Sequence, residues 1–372
     1  MTNRILQFGT SRFLQGHADL FVHEVRKAGQ DIGPITVAKT TQGSARGGRI
    51  AAFSTAQGFP VRLRGYRSGR LIDETTQVTS VCRALDANAE RFQLKTIFAD
   101  ETEIVMSNVG ETGYDLAAED QEFSGSSETA SRNFPMKLLA LLFHRFERTG
   151  KPLLVLPCEL VSHNGQKLRE LILNASRGVG DGEHFRAWLR RSVTFCDTLV
   201  DRTVSEAIDP IGAIGEPYGL WAIECEPGFI EPMQHPCIVY TDDLGPILRL
   251  KLHILNLGHS FLAEIWKTGK RPQDETVREM LKDEAVKHRL SALYRDEIIP
   301  GFEAHRMGAA AADYVKSTIE RLENPYLNHR LSDIAQSHRQ KIDRRMVDFM
   351  NWVGVKNSAL SFKSLEAVVA AN

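Results

Sequence analysis

The chain has 372 residues, 42% of them hydrophobic and 25% charged, and a formal net charge of -1. That length suffices for two ordinary domains with separate cores, while the near-neutral balance excludes the broad positive field of a dedicated nucleic-acid binder. No apolar run approaches the roughly 20 residues that span a bilayer, so neither nucleic acid nor a membrane is expected as a partner.

The opening Met1–Leu6 lacks the charged and apolar regions of a secretory signal and reads as a first strand. Arg4–Phe8 is that strand, Gly9 ends it, and Phe13, Leu14, Phe21, Val22 and Val25 follow at helical spacing. Residues 34–38 read as a second strand, and Val61–Tyr66 with Arg70–Ile72 read as a hairpin around Ser68-Gly69. Glu103–Asn108 and Leu153–Cys158 have the texture of buried strands, with a helical pattern at Phe134–Phe146 between them. Gly219–Glu224 and Cys237–Tyr240 supply later strands. Beyond Asp242–Pro246 the patterns are helical: Ile247–Trp266, apolar nearly all round, then Asp274–Leu293, Ala309–Leu322, Leu331–Val353 and Ser361–Ala371. The expected fold is an α/β Rossmann-like N-terminal domain over 1–244 with an all-α C-terminal domain over 245–372.

Five cysteines, Cys82, Cys158, Cys196, Cys225 and Cys237, are scattered without CxxC spacing. Neither a disulfide framework nor a zinc site is expected, and a reducing cytoplasmic setting is. His329 and His338 lack the i,i+4 spacing of a metal pair, and no Gly-x-Ser-x-Gly elbow or Walker loop occurs. Asp201-Arg202 and Asp242-Asp243 read as salt bridges and caps, and His163-Asn164-Gly165 as a turn entering a helix.

Two stretches can carry chemistry. The turn Phe8-Gly9-Thr10-Ser11-Arg12-Phe13 lies between a strand and a helix, where a glycine and free N–H groups can receive a pyrophosphate. As a GxGxxG fingerprint it is degraded, since Ser11 and Leu14 stand at the second and third glycine positions, and an ordinary βα turn is the competing reading. Asn108, ending a buried strand, is a further candidate at the same strand ends. The acid that would meet the adenosine ribose at the end of strand two is replaced by Lys39-Thr40-Thr41, which removes the feature that excludes a 2′-phosphate.

The second stretch is the helix carrying Lys251, Asn256 and His259. At about 100° per residue, His259 lies about 80° and Asn256 about 140° from Lys251, all on one side. Three separately satisfied polar groups are one explanation. The other is a ketone site, in which a desolvated lysine serves as general base, the amide donates to a developing alkoxide, and the imidazole orients a hydroxyl.

At this helix the chain resembles the polyol-specific long-chain dehydrogenases, the mannitol dehydrogenase family. Their Lys-x4-Asn-x2-His signature is matched in full by Lys251–His259. The likeness continues through Ile5–Gly9, Phe134–Leu138, Pro157–Leu160 with Asn164-Gly165, Phe195–Arg202, Glu297–Pro300 and Asn324–Tyr326, and is nearest to members that interconvert tagaturonate and altronate. The resemblance implies that Lys251 is the general acid/base, that Asn256 stabilises the oxyanion, and that His259 contacts substrate. It further implies substrate-side roles for Lys341 and Asn164, NAD as cofactor with NADP not excluded, and no zinc. A small sugar acid is the implied substrate, with a hexitol or pentitol as the alternative. Leu160 stands where mannitol-type members have asparagine, Asp333 replaces a family arginine, and Ser11-Arg12 replace Gly-Asn. A non-catalytic nucleotide sensor and an epimerase using transient cofactor chemistry are the rival classes. The sequence does not indicate an oligomeric state.

Overall fold

The structure is a computed structural model and describes residues 3–40, 47–55, 57–115, 133–178, 182–226 and 228–372. In β1 (Asn3–Phe8) successive side chains enter different apolar clusters. Ile5 joins Val37 and Met106, whereas Leu6 and Phe8 join Ala38 and Val105. A strand covered on both faces requires such a continuous apolar run.

After β1 come α1 (Arg12–Gly16), α2 (Ala18–Lys27), β2 (Ile32–Lys39), α3 (Gly47–Phe53), β3 (Phe59–Arg67), β4 (Arg70–Val78) and β5 (Val81–Asp86). Next, α4 (Arg91–Thr96) leads to β6 (Ile104–Ser107), and α5 (Phe134–Arg148) to β7 (Leu153–Pro157). Then α6 (Asn164–Ala175) and α7 (Gly182–Ser192) precede β8 (Val193–Phe195). Six of these strands form one parallel sheet in the order β5-β2-β1-β6-β7-β8. Strand order reverses between β1 and β6. Open α/β sheets bind ligands at the carboxyl ends of the strands flanking such a reversal.

The hairpin expected around Ser68-Gly69 joins β3 to β4, with both turn residues at positive φ (51° and 78°), as a tight hairpin turn requires. The helical pattern after Gly9 predicts one helix, but two form, because His17 leaves helical geometry (φ −126°, ψ −89°). Its ring stacks on Phe13 with centroids 4.8 Å apart, and Arg202 donates to the freed Gly16 carbonyl. Further strands are β9 (Thr198–Asp201), β10 (Val204–Ala207), β11 (Ala213–Gly215), β12 (Leu220–Glu224) and β13 (Ile238–Thr241). They complete a four-stranded sheet, β10-β11-β3-β4, and a three-stranded one, β13-β12-β9.

In α2 the Asp19 carboxyl is fully buried, with neither oxygen in hydrogen-bonding geometry. Burial raises its pKa to about 7, and the neighbouring Gln7 amide offsets only part of that. A carboxyl whose folded pKa is raised stabilises most below its unfolded value, near 3.8, and stability falls as pH rises toward 7. Asp19→Asn should therefore raise the unfolding free energy at pH 8 by on the order of a few kcal/mol and flatten its fall between pH 4 and 7. Parallel stability–pH curves for the two proteins would refute this.

The chain divides into two compact units: Met1–Leu63, Glu74–Gly215 and Gly219–Leu244 form the first, and Arg64–Asp73, Glu216–Tyr218 and Gly245–Asn372 the second. The second contains α8 (Gly245–Leu250), α9 (Leu257–Thr268), α10 (Val277–Met280), α11 (Glu284–Leu293), α12 (Ile299–Glu303), α13 (Gly308–Leu322), α14 (Leu331–Ile334), α15 (His338–Ile342), α16 (Asp348–Gly354) and α17 (Lys363–Ala370). One apolar cluster unites them, including Leu257, Leu262, Ile298, Phe302, Ile342 and Met346. The helix expected over Leu331–Val353 is interrupted at Ser337, whose φ of 52° ends α14's run before α15 begins. Within this unit the two short segments are held by specific polar contacts. Arg64 lies 3.9 Å above the Tyr326 ring, and buried Glu216 pairs with both forks of Arg321 at 2.9 and 3.0 Å.

Candidate active site

Lys251 and Asn256 are the first and last residues of a π turn between α8 and α9. A π turn holds one extra residue, so everything beyond it is set back by about one residue's rotation, on the order of 100°. Asn256 and His259 thereby move from about 140° and about 80° to within roughly 40° of Lys251. The three side chains share a narrower face than a regular helix would give them. The all-round burial expected of this helix holds from His253 through Ile265 apart from half-buried Asn256 and His259, whereas α8 has no buried residue and Lys251 is half-buried.

Side chains from distant helices bond to carbonyls around this turn. The Tyr294 hydroxyl donates to the Ile254 carbonyl at 3.1 Å. Arg345 donates to the Asn256 carbonyl at 3.0 Å and to Ser260 Oγ at 2.9 Å. Tyr294 and Arg345 themselves lie in π turns, Tyr294–Ile298 and Asp343–Val347. Such bulges are frequent at functional sites. Burial lowers the Arg345 guanidinium to about 10, and it lowers the His253 imidazole to about 4, so His253 is a neutral structural ring.

Gly258 makes the Tyr294 contact possible, because a Cβ there would collide with the hydroxyl. Gly258→Ala should displace that hydroxyl and lower stability by about 1–3 kcal/mol through overpacking. Adding Tyr294→Phe, which removes the colliding oxygen, should recover part of the loss. A double variant as unstable as Gly258→Ala alone, by denaturant titration, would contradict this account.

His259 packs edge-on against His329, ring centroids 4.8 Å apart at 66°. His329 has its imidazole pKa held down by surrounding protein, while Asp333, Glu216 and Lys341 lie within its electrostatic reach. Lys341 donates to the Ile334 carbonyl at 2.8 Å, and burial, followed by the Arg345 charge, lowers its pKa. Three residues before it, His338 bonds Glu264 of α9 at 2.8 Å, with both side chains buried. The π turn thus sets Lys251, Asn256 and His259 toward one helical face, with His329 packed against His259 and Lys341 within electrostatic reach of His329.

The other candidates lie in the first unit. Gly9 has φ 116°, and a Cβ there would stand 2.7 Å from the Asn108 carbonyl oxygen. Ser11 caps α1 by accepting from the Leu14 N–H and donates its hydroxyl to Asn108 Oδ1 at 3.0 Å. Asn108 Nδ2 donates in turn to the Cys158 carbonyl at 2.9 Å, so the carboxyl ends of β1, β6 and β7 are tied together. Phe8 is buried against Phe134 and Phe13 stacks on His17, so both shape the turn by packing. The Thr10 carbonyl accepts from Gln15 and Arg49, each at 3.2 Å, and Arg12 is exposed. A side-chain-free Gly9 at the strand-order reversal fits close approach of a dinucleotide pyrophosphate. Because α1 has only five residues, its dipole adds little, and the backbone turn at Gly9 carries the fit.

Asn164 has a different place. Its Nδ2 donates to the Pro157, Glu159 and Thr198 carbonyls at 3.0–3.2 Å, and its Oδ1 accepts from the Gly165 and Thr198 N–H groups at 2.9 Å. Those bonds exhaust both ends of the amide, so Asn164 holds backbone and has no capacity left for a substrate. A surface depression lined by Glu170, Leu173, Asn174, Arg177, Arg186 and Arg190 contains none of the predicted site residues. Among the described residues no group of three His, Cys, Asp or Glu could hold a metal, and no helix is long and apolar enough to cross a membrane. Sequence reasoning passed over Arg49, Tyr294 and Arg345, whose positions carry no local motif, and weighed His329 only as half of a metal pair, which its spacing to His338 rules out.

Residues 3–231 match the model of the mannitol dehydrogenase Rossmann domain, and residues 243–372 that of the mannitol dehydrogenase C-terminal domain. The chain is 29% identical to altronate oxidoreductase of Halalkalibacterium halodurans, over 94% of this chain and 71% of that protein. It is 28% identical to altronate oxidoreductase of Bacillus subtilis, over 92% of this chain and 73% of the relative. Among solved structures, D-sorbitol dehydrogenase in substrate-free form superposes with a TM-score of 0.76 at 18% identity, over 93% of this chain and 75% of that one. Pseudomonas fluorescens mannitol 2-dehydrogenase in complex with NAD and D-mannitol gives 0.72 at 18% identity, over 100% and 78%. At that identity the structural likeness establishes the fold.

Proposed function

The chain belongs to the mannitol dehydrogenase family, and from that premise we propose that it interconverts a secondary alcohol and a ketone on a sugar acid of the altronate/tagaturonate type, with NAD as cofactor. The observation that carries this reading is the π turn bounded by Lys251 and Asn256, which gathers a base, an amide donor and His259 on one face. The turn after β1, with Gly9, Ser11 and Asn108, would hold the cofactor, which would supply the hydride chemistry. Lys251 Nζ removes the hydroxyl proton in oxidation and returns it in reduction. The Asn256 amide donates to the oxygen as negative charge develops there, and His259 orients a neighbouring hydroxyl. Lys341 supplies positive charge for the substrate carboxylate. A lysine base does the proton transfer that a metal-bound water would otherwise assist, so activity should survive exhaustive chelation.

Asp333 favours a second reading, because an exposed acid near His329 disfavours an anionic substrate and accepts hydroxyl hydrogen bonds from a neutral polyol. The deciding experiment is a spectrophotometric screen of aldonates and matching alditols with oxidised cofactor. Aldonates should give the higher kcat/KM. Clear preference for alditols, relaxed by Asp333→Asn, would transfer the assignment to a polyol dehydrogenase. Cofactor binding without turnover on any substrate would indicate a sensor, and product epimerised without change in nicotinamide absorbance an epimerase.

A further inference from the structure

The end of β2 is where dinucleotide-binding folds read the adenosine ribose, an acid there bonding the 2′-hydroxyl and repelling a 2′-phosphate. Here β2 ends in Lys39, buried, with its Nζ 3.0 Å from Asp86 Oδ2 at the end of β5. Asp86 Oδ1 accepts from the Asn88 and Ala89 N–H groups at 2.9 and 3.2 Å, so this carboxylate already accepts from three donors. The next carbonyl, that of Thr40, accepts from Lys137 Nζ of α5 at 3.0 Å. The strand end is therefore bordered by cations, and its nearby acid is spoken for.

Arg49 adds a group placed to use that environment. It lies on α3, which follows β2 and packs against β5, on the adenosine side of β1. One guanidinium nitrogen, Nη2, is anchored on the Thr10 carbonyl of the cofactor turn at 3.2 Å. Its Nε is buried and has no hydrogen-bond partner among the described residues. An unsatisfied buried N–H is costly, and a guanidinium edge bearing one matches a phosphate oxygen pair. We propose that Arg49 binds the 2′-phosphate of NADP(H), so that the chain accepts the phosphorylated dinucleotide alongside NAD(H). The inference rests on the reading of the Gly9 turn as a nucleotide site, and its test separates the two.

The test is direct binding to the full chain, with NADH and NADPH titrated separately and followed by the fluorescence of the reduced nicotinamide. Wild type should bind both, NADPH within about tenfold of NADH. Arg49→Gln should weaken NADPH about 10- to 100-fold while leaving NADH within about twofold, and Arg49→Lys, which keeps the charge without the fork, should recover part of the loss. Adenosine 2′,5′-bisphosphate should compete more weakly against NADH in Arg49→Gln, with 5′-AMP unaffected. Equal weakening of NADH and NADPH would overturn the proposal by moving Arg49 to the pyrophosphate. Unchanged NADPH affinity in Arg49→Gln, or wild type that ignores NADPH while binding NADH, would also overturn it. Failure of wild type to bind either dinucleotide would remove the nucleotide reading itself. Matching thermal unfolding midpoints guard against a folding defect, and Arg49→Lys keeps the question answerable if Arg49→Gln is unstable.

Discussion

Lys251→Ala is expected to lower kcat by about 10²–10⁴-fold, the usual contribution of a positioned general base. The fold should persist, because Lys251 is only half-buried at the start of a π turn whose carbonyls are bonded by Tyr294 and Arg345 from other helices. Cofactor affinity should change little, since the turn proposed for the cofactor is built from Gly9, Ser11 and Asn108 in the first unit. Small primary amines should restore some turnover. Asn256→Ala should also reduce kcat yet gain nothing from amines, because an amide donor stabilises charge without exchanging a proton. Amine-rescue assays of the two variants, measured side by side, decide the matter. Near-normal turnover in Lys251→Ala would make this helix structural.

Gly9→Asp should abolish measurable cofactor binding, at least a 100-fold loss in affinity. Two effects act together. The backbone at φ 116° is one that residues with a Cβ rarely adopt, and a Cβ there meets the Asn108 carbonyl at 2.7 Å. The added carboxylate also repels the pyrophosphate expected over this turn. Gly9→Ala, carrying the steric effect alone, should fall between wild type and Gly9→Asp. Fluorescence titration with NADH measures all three. An unaltered Kd in Gly9→Asp, with the protein folded by circular dichroism, would place the nucleotide elsewhere.

Part of this protein was legible residue by residue. Continuous apolar runs marked β1, β6 and β7 because a strand covered on both faces needs them. The Ser68-Gly69 pair marked the hairpin because its turn demands positive φ, and the ordered spacing of Lys251, Asn256 and His259 marked the helix proposed for proton transfer. These signals are local: each depends on a residue's own conformational limits or on burial recurring at a fixed period. The short strands β8 to β11 gave none, having three or four residues each and too little alternation to register.

The tertiary structure decided what depends on partners distant in sequence. An extra residue in a helical turn leaves no periodic mark, and the π turn that draws Asn256 and His259 toward Lys251 is bonded by Tyr294 and Arg345, 40 and 89 residues away from the carbonyls they bind. The break at His17 arises because its ring and the Gly16 carbonyl find partners outside the helix. Asn164 looked available for substrate in sequence, yet its amide is consumed by strands that fold against it. Arg49 carried no signal at all until β1, β2 and α3 came together around the Thr10 carbonyl. Sequence periodicity reports which side of an element is buried, whereas hydrogen-bond satisfaction is settled only when the remote donor and acceptor meet.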